Sequence, residues 1–489
     1  MRSPLGAIVL ATMLSAGCAD RETLTPAYPL SRTQEEDFRR RIPRNHRRPE
    51  WAPPSVDQFV LRNGIRVYAV SMPAAGLLSI TYVNRRVTEF DTRVRTALAS
   101  LMPSALTAGT RTHPGLAHAR AVHALGARLE SHVNGTALFL TLTTLPPTLR
   151  QSAQLLYEAV SEPTIDDEDF AQTIRVRRSL RHFRGQGWVG QELALGSLFG
   201  SRHPFAMPRG GSVPQLDALR AEELRALHRE RVIPAHSALT VVGEFDRGAL
   251  EAALNDTWGQ WSVAGAREIG PDAPPSEATS GQRAWQFVDT ESATENASVT
   301  VAWPMVTLLD DSFGDALVLD QILATSGSGV FDQSLRERAN ITYGVDVRTM
   351  INLVGGYGVA NVVVATRDAP SAVSSLLAEI TRLRTTRVSR SVIDAARGRL
   401  RNELLSSFES VAGTADRVSG LFAFGLEPSS WRRHLALIDG VTPETLQRTA
   451  QRLLAADRIA VAVVGDRTAI GAPLRSLAPY GLSVFTFVE

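Results

Sequence analysis

Lysine is absent from all 489 residues, so every one of the 52 basic side chains is an arginine. Chemistry that runs through a lysine amine, such as a Schiff base or the lysine of a phosphate-binding loop, is therefore excluded. So complete a bias is most simply codon usage in a GC-rich genome, and arginine-rich stretches are not read as binding patches. Cysteine occurs once, at Cys18, which rules out an intramolecular disulfide. Aromatic residues make up 6%, and no apolar run reaches the ~20 residues that span a bilayer. A net charge of +2 exerts no strong pull on nucleic acid, and none is expected as a partner. What remains, 44% hydrophobic and 21% charged, is the composition of a soluble globular protein, too long for a single core.

The N-terminus reads as a targeting segment. Arg2 precedes the apolar stretch LGAIVLATML (Leu5–Leu14), and SAGC follows, ending at Cys18. Small residues before a lone cysteine resemble a bacterial lipobox, in which the thiol is lipidated and becomes the mature N-terminus. Ser15 stands where leucine is commonest, and a cysteine falling by chance in an ordinary signal peptide is the alternative. Residues 1–18 are thus expected to be a lipoprotein signal peptide and 19–54 a polar tether. The tether's arginines could touch anionic headgroups, although a solvated linker is the simpler reading.

An internal repeat sets the architecture. Glu222–Asp246 and Glu444–Thr468 align without a gap, each an amphipathic helix and then an apolar strand ending in Val-Val-Gly. Thr442 and Pro443 give the second helix a clear start, as N-cap and first helical position. Upstream, Leu78–Val83 and Ala297–Trp303 each precede a helix, and TALFLTLTTLP and YGVANVVVATR supply further strands. GAREIGPDAPPSEATSGQ between the copies reads as a linker. The expectation is an α+β protein of two tandem homologous domains, 55–263 and 286–489, joined by 264–285. Each would be a mixed β-sheet with helices packed on one face.

The order of these pieces carries a resemblance. LRNGIRVYAV, GARLESHVNGTALFLTLTTLP, HPFAMPRGG, LTVVGEFD and SGSGVFDQSLRERANITYGVDV are similar to the insulinase/pitrilysin/mitochondrial-processing-peptidase family in its short two-domain bacterial form. Active members carry H-x-x-E-H on the first helix, a few residues before a Gly-Thr pair. Two histidines one turn apart grip zinc from one helix face, a downstream glutamate completes the protein ligands, and the motif's glutamate is general base. Counting back from Gly109-Thr110, the resemblance places those roles at Ser100, Pro103 and Ser104. Hydroxyls are poor zinc ligands, proline supplies no base, and RVRRSLRHFRG (Arg175–Gly185), where the third ligand is due, holds no carboxylate. The resemblance therefore implies a degenerate metal site, no metal bound by this chain, and no catalysis by the chain alone.

Other metal or nucleophile sites find little support. His118 and His123 are five apart, off one helix face, and His113 and His203 precede prolines and are expected to be solvated. A serine nucleophile at Ser100 or Ser104 would need a histidine and an aspartate that the sequence cannot place. SGSG (Ser326–Gly329) lacks the ending of a phosphate loop and reads as a turn.

The resemblance also implies surviving parts. An arginine and a tyrosine seven residues apart map to Arg336 and Tyr343, with Arg338 a weaker candidate, and in the family they reach the substrate bound at zinc. GARLESHVNG corresponds to an edge strand that pairs with extended peptide, although Glu130, followed by Ser131, stands where active relatives usually have asparagine. Together these imply a complementing subunit beside a zinc-bearing two-domain homologue, with zinc in that partner, peptide as substrate and lipid anchorage to the bacterial envelope. The rival expectation is an inactive structural or peptide-binding scaffold, like family members in a respiratory complex. A self-contained hydrolase is the third and requires bound zinc.

Overall fold

The computed structural model describes residues 52–87, 93–134, 137–182, 186–200, 203–206, 210–263, 285–290, 294–325, 327–477 and 482–486. Cys18, the signal segment and nearly all of the tether lie outside them, as do residues 264–284 of the linker.

The protein is α+β, built on two six-stranded mixed sheets. The first holds β1 (Asp57–Val60), β2 (Arg66–Ser71), β3 (Leu78–Asn84), β4 (Arg128–Val133), β5 (Leu138–Thr144) and β6 (Ser237–Gly243). Their order is β1-β2-β6-β3-β5-β4, with only β2 and β6 parallel. The second holds β7 (Trp285–Asp289), β8 (Asn296–Met305), β9 (Asp346–Asn352), β10 (Gly355–Ala365), β11 (Ala460–Gly465) and β12 (Leu482–Thr486), in the order β12-β7-β11-β8-β10-β9. The repeated Val-Val-Gly strands, β6 and β11, take the third place in their respective sheets. Leu78 of β3 lies opposite Gly243, whose φ is +133°, and a Cβ there would sit 2.2 Å from the Leu77 carbonyl oxygen. Only glycine ends that strand without displacing its neighbour.

The helices used below are α1 (Arg93–Ala108), α2 (Leu149–Ser161), α3 (Asp167–His182), α4 (Gln186–Phe199), α5 (Phe313–Ala324), α6 (Ala369–Thr385) and α7 (Val411–Ala423). One face of the first sheet packs on α1 and α2 through Leu101, Met102, Leu106, Leu156 and their neighbours; α5 and α6 cover one face of the second. The opposite faces are covered as well, and by exchange. Tyr68, Val70, Val83 and Phe139 of the first sheet pack on α7, which belongs to the second half of the chain. Ala302, Tyr357, Val359 and Ala462 of the second sheet pack on Ala194, Leu195, Leu198 and Phe199 of α4, from the first half.

This exchange explains why β3 and β6 are buried at every position, a pattern that needs cover on both faces. The one-face expectation holds for each half's own helices, and the other half supplies the second layer. Local sequence builds α7 for its place. Ser410 Oγ accepts from Gly413 N at 3.1 Å as N-cap, and Val411, Ala415, Val418 and Phe422 recur at helical spacing. Burying its Val411, Val418, Leu421 and Phe422 is worth roughly 6–12 kcal/mol before ordering costs.

Candidate functional site

Pro103 sits buried inside α1, where it gives the Ala99 carbonyl no N–H. The carbonyls around it are gathered from outside the helix ladder. Ser131 Oγ of β4 donates to Pro103 O at 3.1 Å, Thr107 Oγ1 donates to the same oxygen at 3.0 Å, and Arg177 of α3 donates to Ser100 O at 2.9 Å. Ser100 turns its hydroxyl back on its own helix, donating to Ala97 O at 2.6 Å, as serines in helices do. Ser104 borders a water-sized space of about 20 Å³ beside Thr164, Asp166 and Asp169.

Arg177 lies in the stretch where the third ligand is due. Phe170, Ile174 and Arg177 follow one face of α3, and the guanidinium comes to rest on the Ser100 carbonyl. Burial lowers its pKa, yet an arginine remains a cation. Arg177 forms no ion pair among the described residues. A hydroxyl already committed to its helix, a proline and a fixed cation do not fit a zinc ion, which these groups would repel or fail to ligate. No group of three or more His, Cys, Asp or Glu is arranged to hold a metal among the described residues.

The histidines are corrected by the structure. His113 is not simply solvated: its Nδ1 meets Glu158 Oε2 at 2.7 Å, and Glu158 is buried. His118 is buried with Nε2 against Leu155 O at 3.1 Å. His203 is buried too, ring-stacked on Phe199 at 4.8 Å, with Nδ1 accepting from Phe205 N at 3.1 Å. Desolvation pushes the His203 pKa down to about 4. A proline after a histidine said nothing about whether neighbouring aromatics would close over it.

Arg336 and Tyr343 occupy a different setting. SGSG is followed by a short helix, Val330–Asp332, that continues as a π-helical turn, Gln333–Arg338, anchored by buried Phe331 and Leu335. Arg336 pairs with its neighbour Glu337 at 2.8 Å and lies near Gly327, where an added Cβ would be 3.7 Å from its Nη2. Tyr343 is fully exposed at 102%. Arg338 is instead tied to the buried Glu379 of α6, which leaves Arg336 the freer guanidinium. Asp332, a residue sequence reasoning missed, joins this group. Its buried carboxylate accepts from Gly327 N at 2.6 Å and Val345 N at 2.8 Å, fixing the glycine turn and the segment after Tyr343 to one point. No hydrogen bond or ion pair joins this group to the Ser100 helix among the described residues.

Among the described residues the strand β4 pairs with β5 alone, so its outer main chain is an edge. Arg128 and Glu130 are exposed and pair at 2.6 Å, while Ser131 points inward to Pro103 O. Ser131 thus ties the edge strand to the first long helix.

Two six-stranded sheets thus exchange covering helices, and the first long helix carries Ser100, Pro103 and Ser104. Residues 218–400 match the family model described as Peptidase M16 inactive domain. That segment, rather more than a third of the chain, is thus similar to the M16 inactive domain. Solved structures share the fold: a protease from Helicobacter pylori (12% identity, TM-score 0.77, 84% of this chain and 99% of that one). A peptidase M16 inactive domain from Pseudomonas fluorescens matches at 16% identity and TM-score 0.75 over 84% and 98% of the two chains. A conserved protein from Enterococcus faecalis V583 matches at 14% and 0.69 over 84% and 99%. No curated protein matches this chain.

Proposed function

We propose that this chain is the complementing, substrate-binding subunit of a heterodimeric zinc metallopeptidase, held at the bacterial envelope by a lipid on Cys18. The observation that carries the reading is Tyr343, a fully exposed phenol two residues before Val345, whose N–H Asp332 holds, on a chain with Ser100, Pro103 and Ser104 where the resemblance places the zinc motif. Peptide would add as a strand along β4, and zinc and its activated water would belong to the partner, a two-domain homologue with H-x-x-E-H intact. Arg336 and the Tyr343 hydroxyl would donate to the substrate carbonyl oxygen as charge grows on it. Among the described residues no helix is long and apolar enough to cross a membrane, which is compatible with an anchor at Cys18.

Co-expression with a zinc-bearing homologue tests this. The pair is expected to cut peptides, and Tyr343→Phe to lower kcat by about 100-fold with little change in KM. An unchanged rate would remove the complementing role. The open edge of β4 supports a second reading, a peptide-binding scaffold, which would bind peptide equally well with or without such a partner.

A further inference from the structure

The alternation of β2 places Arg66, Tyr68 and Val70 on the sheet face that α7 covers, and Arg85 continues that face beyond Val83 of β3. Where α7 ends, at Phe422 and Gly425, its cover stops short and leaves a cavity of about 660 Å³ between the sheet and the crossing segment. Its walls have two characters. Tyr68 and Phe422 form an aromatic side, their ring centroids 6.4 Å apart. Arg66 and Arg85 form a cationic side, with Glu427 the one acidic group among the lining residues.

Neither guanidinium is engaged by a carboxylate among the described residues. Arg85 lies 5.0 Å over the Phe422 ring, and its Nε is buried without a hydrogen-bond acceptor. Arg66 makes no side-chain hydrogen bond or ion pair among the described residues. Folded chains rarely leave a desolvated donor unmatched, and one that faces a cavity calls for an explanation such as a bound water or ion. The cavity volume falls within the range of about 300–1,000 Å³ found for small-molecule sites.

We infer that this cavity binds a small organic anion, one acidic head (carboxylate or phosphate) on the two arginines and an apolar body against Tyr68 and Phe422. The planar forks of arginine suit both heads, and the aromatic wall favours a flat body. The site needs no partner subunit and does not depend on Tyr343, so its failure and that of the complementing role are told apart.

Calorimetric titration of the full chain tests it with phenylacetate, phenyl phosphate, inorganic phosphate and benzyl alcohol. At least one aromatic anion is expected to bind, and the preferred head distinguishes the two acid classes. Benzyl alcohol and inorganic phosphate are each expected to bind at least about tenfold more weakly, since each keeps only one half of the recognition. Arg85→Gln and, independently, Arg66→Gln on the exposed rim should each weaken the anion about tenfold or more, with melting curves confirming folded protein. Equal binding of benzyl alcohol, unchanged affinity in Arg66→Gln, or no binding of either aromatic anion at millimolar concentration would overturn the assignment.

Discussion

Pro103 and Arg177 are the two side chains whose replacement says most about the altered first helix. Pro103→Ala returns an N–H to a buried helix interior, and the variant is expected to gain about 1–2 kcal/mol after the stiffening effect of proline on the unfolded chain is subtracted. A higher urea midpoint at unchanged slope would show this; a lower one would mean the proline ring is needed for packing. Arg177→Met keeps the apolar stem but loses the charge-assisted bond to the Ser100 carbonyl. It is expected to cost about 1–2 kcal/mol by the same measurement, and no change would mean solvent serves that carbonyl equally well. Ser100, Pro103 and Ser104 could be read as non-ligands from residue type alone. The inward turn of Arg177 could not, because the five arginines in RVRRSLRHFR look alike until packing chooses the face of α3. Its spacing from Phe170 and Ile174 was the available signal.

The exchanged helices α4 and α7 hold the two sheets by close contact. Gly190 of α4 lies so near β8 that a Cβ would meet Thr300 Oγ1 at 2.5 Å. Threonine in a central strand has little freedom to move aside, so Gly190→Ala is expected to destabilise by about 1–3 kcal/mol in chemical denaturation. Beyond α4, His203 carries a pH signature. Its folded pKa of about 4 lies below the ordinary value, so between pH 6.5 and about 4 the unfolded chain binds the extra proton. His203 therefore lowers stability as pH falls through that window and has no effect above it. His203→Asn keeps an acceptor for Phe205 N and should flatten this part of the stability profile; an identical slope would show that the histidine stays neutral in both states or charged in both. The elements that were legible were the locally signalled ones: β6 and β11 by their shared Val-Val-Gly, and the helix Pro443–Leu453 by Thr442, whose Oγ1 accepts from Thr445 N at 3.2 Å. The crossing was not legible. An apolar face on α4 or α7 says that a partner surface exists, but not which of two similar sheets supplies it. The π-turn bearing Arg336 was missed for a related reason, since it depends on Asp332 reaching backbone on both sides.

Exchange of covering layers makes the two halves mutually dependent. Residues 55–263 expressed alone would leave Tyr68, Val70, Val83 and Phe139 without α7, an apolar surface of the kind that aggregates. That fragment is expected to be insoluble and to be recovered in soluble form when residues 286–489 are co-expressed; a soluble monomeric fragment would contradict the packing. The exchanged cover of the two sheets does not involve Ser100, Pro103 or Ser104, so the interlocking does not depend on those side chains. On the proposed reading, what the chain offers a reaction is an edge strand, a guanidinium and a phenol.

The most direct test of that view is made on the isolated protein, by measuring metal content and peptide turnover on the same sample. No stoichiometric transition metal and no cleavage are expected, with or without added zinc. Tightly held zinc together with cleavage that a chelator abolishes would contradict it.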